Sequence, residues 1–383
     1  MFACIYTKEE HADSAGEHIL QNSFGARWTS ECITCDKLQA EFGLTIDVEV
    51  ERAFQPFRNM LGARGGRGET GPSLEAKDID GAKYLIHPGG KPEIREPQIA
   101  IEELPDGNIS VRFTLADIKQ LGWAKAKVRA MYPGRLLKFD DSAVPVSESG
   151  YLQKPIHMSI KLGGKDFFRG LLKSVFNLLG VTMPEIALAS EFDGLRNFVV
   201  KGEGSVDDFA RWSSEQEPFT PHRFGEFDHF IGVWRLDGKV FAIANLYGGI
   251  PFLFRLAEGS MGDDFSVGYL VNPLRDTDPA ENQGFSFDPA KLPLFHECKM
   301  EPGPEIWTAF EARVKTFLQN YLARADSKRI EEIVTEVLGP HEGQVFDQAM
   351  ANALSFKLAE YIVHRLKKPE RGDELAERKT PVV

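Results

Sequence analysis

Three of the chain's four cysteines, Cys4, Cys32 and Cys35, fall inside its first 35 residues. Cysteines used only as small apolar fillers scatter through a core, so this clustering points to shared chemistry. Two of them form Cys32-x-x-Cys35, followed at once by Asp36, and the dipeptide Glu17-His18 lies one loop upstream. No thioredoxin-like βαβ pattern surrounds the pair, which favours metal binding over redox exchange. Four cysteines in 383 residues are also too few for a disulfide scaffold.

The composition, 42% hydrophobic and 27% charged, is that of a globular protein. No apolar run is long enough to span a bilayer. The start, MFACIYTKEEH, has neither a basic segment nor a long apolar one, so no secretory leader, no membrane partner and a cytoplasmic location are expected. The net charge of −12 argues against a general nucleic-acid coat protein, whose affinity would come from neutralising phosphates. It leaves room for an enzyme whose cations are concentrated locally.

Three regions are expected: 1–75, 76–300 and 301–383. In the first, Met1 to Tyr6 reads as a short strand leading Cys4 into a knuckle, and Gly16 and Gly25 suit turns around Glu17-His18. Leu38, Phe42, Ile46, Val50, Phe54 and Phe57 recur at helical spacing, with Gly43 expected to break the run in two. Arg58 to Gly71 is Gly-rich and reads as a loop, in which Arg64 and Arg67 are candidate phosphate contacts or plain solvated arginines. Alternation on both sides of Pro105-Asp106-Gly107-Asn108 marks a hairpin, and a helix is expected over Leu115 to Met131. Phe167 to Leu179 is apolar at helical spacing, with Lys173 and Asn177 read as solvated flank positions. A further short helix begins at Asp193. Asp237-Gly238 and Gly248-Gly249 punctuate a β-meander. Residues 261–300, with Cys298 and His296, read as irregular, residues 303–368 as amphipathic helices, and the charged tail from Lys367 as frayed. His222, His229 and His296 have no motif around them and read as structural.

Phosphodiester hydrolysis needs an activated water, a cation to stabilise charge, and a base near neutral pKa. Histidine suits the base, and a neighbouring carboxylate can hold a hard ion such as Mg²⁺. Asp36 is the nearest candidate for a second oxygen ligand. A structural Zn²⁺ would brace a module too small for much core of its own.

The series C-I-Y, G-E-H-I-L, N-S-F-G-A-R, C-I-T-C-D, F-G and I-D resembles the HNH endonuclease family, in particular its CxxC-containing subgroup. The motif covers about the first 70 residues. The resemblance implies an α+β chain with a small ββα-metal module at the N-terminus, followed by a larger mixed α+β region with antiparallel strands and C-terminal helices. It implies a DNA endonuclease in which His18 is the general base and Glu17 and Asp36 hold Mg²⁺ or another divalent ion. Cys4, Cys32 and Cys35 match three structural zinc ligands, with His11 a candidate fourth. The chain departs from the pattern at Thr7 (a cysteine in the family), Gln21 (proline), Ala26 (glycine) and Asp36 (asparagine or histidine). DNA is the expected partner, and the family's double-strand chemistry suggests a homodimer. The large appended region suggests regulation by a ligand or protein, as in a defence or mobile-element enzyme. The departures motivate a second expectation, a module that binds nucleic acid or protein without cutting. A third treats Cys32-x-x-Cys35 as a redox switch.

Overall fold

The computed structural model describes residues 1–12, 14–105, 108–134, 136–139, 154–211, 225–259, 262–275 and 303–366. Cys298, His296, His222, the centre of the 105–108 turn and the tail from Lys367 lie outside them. The fold is mixed α+β with antiparallel sheets, as expected. Two compact units divide the chain. One holds 1–73, 87–90 and 159–321, and the other holds 74–86, 91–158 and 322–383.

The first unit begins with two short antiparallel pairs in quick succession. Strands β1 (Phe2–Ala3) and β2 (Glu10–His11) pair, then β3 (Glu17–His18) and β4 (Thr29–Ser30) pair. Helices α1 (Asp36–Leu44) and α2 (Ile46–Leu61) follow. The break between them falls at Thr45 (φ −121°, ψ −83°), two residues beyond Gly43, which stays inside α1. The Thr45 hydroxyl bonds back to the Glu41 carbonyl at 2.7 Å, which satisfies an acceptor that the interrupted helix leaves open.

The second unit carries strands β5 (Leu74–Asp78), β6 (Lys83–His87) and β7 (Lys91–Ile94), and the hairpin β8 (Gln98–Glu103) with β9 (Ile109–Thr114). The hairpin forms where alternation placed it, with Ile101 opposite Val111. Helix α3 (Leu121–Met131) follows a 3-10 turn that Asp117 caps by accepting from the Lys119 N–H at 2.8 Å. Strand β10 (Ile156–His157) adds to β5, giving the order β10-β5-β6-β7 around Ala76, Tyr84 and Ile86.

Helix α4 (Lys165–Thr182) is the spine of the first unit. Phe168, Leu171, Leu172, Val175, Phe176, Leu178 and Leu179 are all buried, so the helix is covered on every side rather than along one stripe. This overturns the reading of Lys173 and Asn177 as solvated, since they are 1% and 0% exposed. Gly170 lets α2 cross closely, because a Cβ there would lie 2.6 Å from Val50 Cγ2 and 2.7 Å from the Ile46 carbonyl oxygen. Short helices α5 (Pro184–Ala187) and α6 (Asp193–Lys201) follow.

Helix α4 packs on a five-stranded antiparallel sheet made of β11 (Ala210–Arg211), β12 (His229–Leu236), β13 (Lys239–Leu246), β14 (Ile250–Glu258) and β15 (Phe265–Val271). The order is β11-β14-β13-β12-β15. Strand β15 corrects the expectation that 261–300 is irregular throughout. Its residues Phe265, Val267 and Tyr269 alternate toward the core, a period that the Asp- and Gly-rich residues before it obscure. Helices α7 (Pro304–Leu338) and α8 (Gln348–Leu366) close the described chain. Among the described residues no helix is long and apolar enough to cross a membrane.

Two turns of the meander carry the strain their sequences announced. Asp237 and Gly238 take φ of 48° and 71°, as a primed two-residue turn requires. Gly248 takes φ 75°, and a Cβ there would stand 1.7 Å from the Glu226 carbonyl oxygen. Gly248→Ala is therefore expected to destabilise the protein by about 3 kcal/mol or more, from overpacking plus left-handed strain. Gly194→Ala, in α6 with nothing within 4 Å, is expected to be neutral or slightly stabilising. Chemical denaturation of the two variants checks the contrast.

The meander also buries His229 completely, against the rings of Phe24 and Tyr247. Its Nδ1 accepts the Tyr247 N–H at 3.1 Å. Burial pushes its pKa down to about 3. The unfolded chain then binds a proton, near pH 6.5, that the folded chain refuses, so this contribution to stability is present above pH 6.5 and is lost on acidification. The expected loss is about 2 kcal/mol between pH 7.5 and 5. Glu17 and Asp228, whose carboxyls burial raises, act with the opposite sign. The difference in slope between wild type and His229→Gln, from unfolding curves across that range, isolates the imidazole.

Candidate active site

The site grows from the β3–β4 pair. Glu17 lies opposite Ser30 and His18 opposite Thr29, and the Ile19 N–H bonds the Trp28 carbonyl at 3.0 Å. The connection turns through a 3-10 segment, Asn22–Phe24, and Gly25 at φ 79°. The Cys32–Cys35 knuckle then delivers the chain to α1. A cleft of about 590 Å³ opens beside this hairpin, lined among others by Glu17, His18, Gln21, Asp47, Arg67 and Lys173.

Lys173 reaches it from α4. Its ammonium nitrogen is 2.8 Å from Glu17 Oε1 and 2.6 Å from Asp47 Oδ2, so two carboxylates converge on one cation. Burial works against the charge on Lys173, but Asp47 and Glu17 outweigh it and hold the ammonium above its usual pKa. One cation cannot satisfy two anions. Burial first, and then the negative charge of Asp47, raise the Glu17 carboxyl. Gln21 Nε2 donates to Asp47 Oδ1 at 2.9 Å, while its buried Oε1 has no partner. Asn177, one turn after Lys173, donates to the His18 carbonyl at 3.0 Å and accepts from the Tyr6 hydroxyl at 2.6 Å, which fixes β3 on α4.

His18 is half-buried, and neither ring nitrogen has a hydrogen-bond partner. Burial first, then the charges of Arg67 and Lys173, lower its pKa, so the imidazole is neutral near pH 7. The 65–69 loop is set by Asn22, whose Oδ1 accepts the Arg67 N–H at 3.1 Å and whose Nδ2 donates to Glu69 at 2.6 Å. Arg58, buried beneath the loop, bonds the Glu69 carbonyl at 3.0 Å. Gly66 is required there, because a Cβ would lie 2.1 Å from the Ala26 carbonyl oxygen.

The expected residues are thus partly assembled. Glu17, His18 and Arg67 share the cleft. Asp36 begins α1, is exposed and accepts the Ala15 N–H at 2.7 Å, and it is not part of the cleft lining. Arg64 is exposed and bridges to Thr70 outside that lining. Cys4 and Cys35 are buried free thiols, and burial pushes the Cys35 thiol up. Cys32 is exposed, and His11, on β2, has a buried Nε2 without a partner. Among the described residues no group of three or more His, Cys, Asp and Glu side chains converges to hold a metal ion. Two buried thiols do not make the closed four-ligand set of a structural zinc.

Sequence reasoning quoted Asp47 in the motif without giving it a role, and it missed Lys173. The signal for Lys173 was present in FFRGLLKSVFNLL, where a lysine and an amide one turn apart interrupt an otherwise apolar helix. Buried charge of that kind demands a partner. The chain matches no protein-family model, no curated protein and no solved structure.

Proposed function

We infer that the chain is a metal-dependent endonuclease that hydrolyses DNA phosphodiester bonds. The observation that carries this reading is the neutral, unpartnered imidazole of His18 at a polar cleft beside two convergent carboxylates. The order of β3, β4 and α1 supports it as a ββα arrangement, the fold of the HNH nucleases that the motif resembles.

The donor set fits a hard divalent ion. Mg²⁺ is commonly held by one or two carboxylates and keeps several waters. Glu17 and Asp47 would hold it, with the unpartnered Gln21 Oε1 as a neutral oxygen donor. Asp47 then takes the place expected for Asp36. Such an ion stabilises charge on the phosphoryl group and the leaving oxygen. His18 accepts a proton from the attacking water, and its carbonyl is held by Asn177 so that the ring keeps its place. Arg67, at the lip of the cleft, meets the phosphate. Lys173 balances the carboxylates until substrate and ion arrive. Incubating supercoiled plasmid with the protein and a series of divalent metals tests the reading. Relaxed or linear product that requires metal is expected, and no product with any metal on any DNA would sink it.

One observation favours a second reading. The Lys173 ammonium already stands where the two carboxylates would place a cation, as it would in a module that binds nucleic acid without cutting. Equal DNA binding by wild type and His18→Ala, with cleavage by neither, would select it.

A further inference from the structure

Between Asp117 and Asp140 the chain carries six basic residues and no acidic one, in a protein whose net charge is −12. The described part of this stretch is α3 and its flanks. Ala124 and Val128 are fully buried, so this stripe of α3 packs against the protein itself. What remains outward includes cations and an indole, beside the exposed Ile118 and Met131. Lys127 and Arg129 are exposed, Trp123 is 50% exposed, and the Lys119 side chain is 89% exposed. The cations are held on ring faces. Lys127 lies 4.9 Å from the centre of the Trp123 ring, and Lys125 and Arg129 lie 5.4 and 5.2 Å from that of Phe139. Glu96, which feels the charge of Lys127, is paired with Lys83 at 2.6 Å.

We propose that this face of α3 binds the phosphate backbone of nucleic acid. Positive charge on a stable helix, interleaved with an exposed indole, is the chemistry that phosphates and bases recognise. An acidic protein that handles DNA needs such a local concentration of cations. A lipid surface is the other polyanion that basic helices meet, and Ile118, Trp123, Met131 and Leu136 are exposed here, but Ala124 and Val128 are buried, so α3 lacks the continuous free apolar face that such helices insert. The proposal supplies a holding surface for the substrate proposed above. It does not require catalysis, so it stands or falls separately from the role of His18.

The test is binding of a fluorescein-labelled 30-base-pair duplex, read by anisotropy in EDTA across a salt series. The wild type is compared with the Lys119→Glu/Lys127→Glu/Arg129→Glu variant and with a second variant that carries glutamine at the same positions. The charge-reversed protein is expected to bind at least about ten-fold more weakly, with the glutamine variant between. The slope of log affinity against log salt should be shallower by about 2–3, close to one per cation removed. Circular dichroism and melting temperature should match wild type in the glutamine variant. Unchanged affinity and slope in that folded variant would overturn the proposal. So would wild-type binding to phosphatidylserine vesicles that is tighter than to DNA and lost on charge reversal.

Discussion

Lys173→Met is expected to destabilise the folded protein by about 3–5 kcal/mol, because removing one partner of a buried ion pair leaves its counter-charge uncompensated. The lysine side chain is 1% exposed, Glu17 4% and Asp47 23%, so little water can take over its role. Methionine nearly matches the volume, which confines the effect to charge. Adding Glu17→Gln and Asp47→Asn to Lys173→Met should restore most of the loss, since replacing all members of a buried ionic group is far milder than removing one. The single variant also leaves two carboxylates converging on an empty point. Mn²⁺ should therefore raise its melting temperature more than it raises that of wild type. A single variant within 1 kcal/mol of wild type would show that the triad does not hold the fold.

His18→Ala has the complementary profile. Neither ring nitrogen bonds to anything, so the folded state loses packing but no hydrogen bond. Stability should change little, while cleavage should fall by about 10²–10⁴-fold, the usual contribution of a general base. The unfolded reference matters little here, because the same preparation supplies its own melting temperature as a control. A variant that melts like wild type and cleaves like wild type would remove His18 from the reaction.

Much of the local structure could be read from the sequence because it rests on local chemistry. The alternation of Ile99, Ile101 and Val111 gave the β8–β9 hairpin, and Asp237-Gly238 gave the primed turn of the meander. Glu17-His18 could be found because it sits in a compact motif, and Arg67 because it stands in an Arg- and Gly-rich loop, and all three line one cleft. Asp47 closes the same motif as the aspartate of I-D, but nothing local ties it to Lys173. They are 126 residues apart, and only the crossing of α2 over α4 at Gly170 brings them together. Asp36 was favoured for its position after the cysteines, yet as the first residue of α1 it is spent on the Ala15 N–H. Lys173 was misread because periodicity assigns a lysine to the wet face of a helix, whereas α4 has no wet face. Strand β15 was missed because its alternation is brief and its neighbours are turn-forming residues.

In the proposed reaction, His18 at this cleft activates water for phosphodiester cleavage. Relaxation of supercoiled plasmid by wild type and by His18→Ala, side by side in Mg²⁺ or Mn²⁺ and in EDTA, tests it most directly. Metal-dependent relaxation by wild type, none in EDTA, and a rate at least about 100-fold lower for a folded His18→Ala protein are expected. Equal rates for the two proteins, or no relaxation by wild type with any metal, would contradict it.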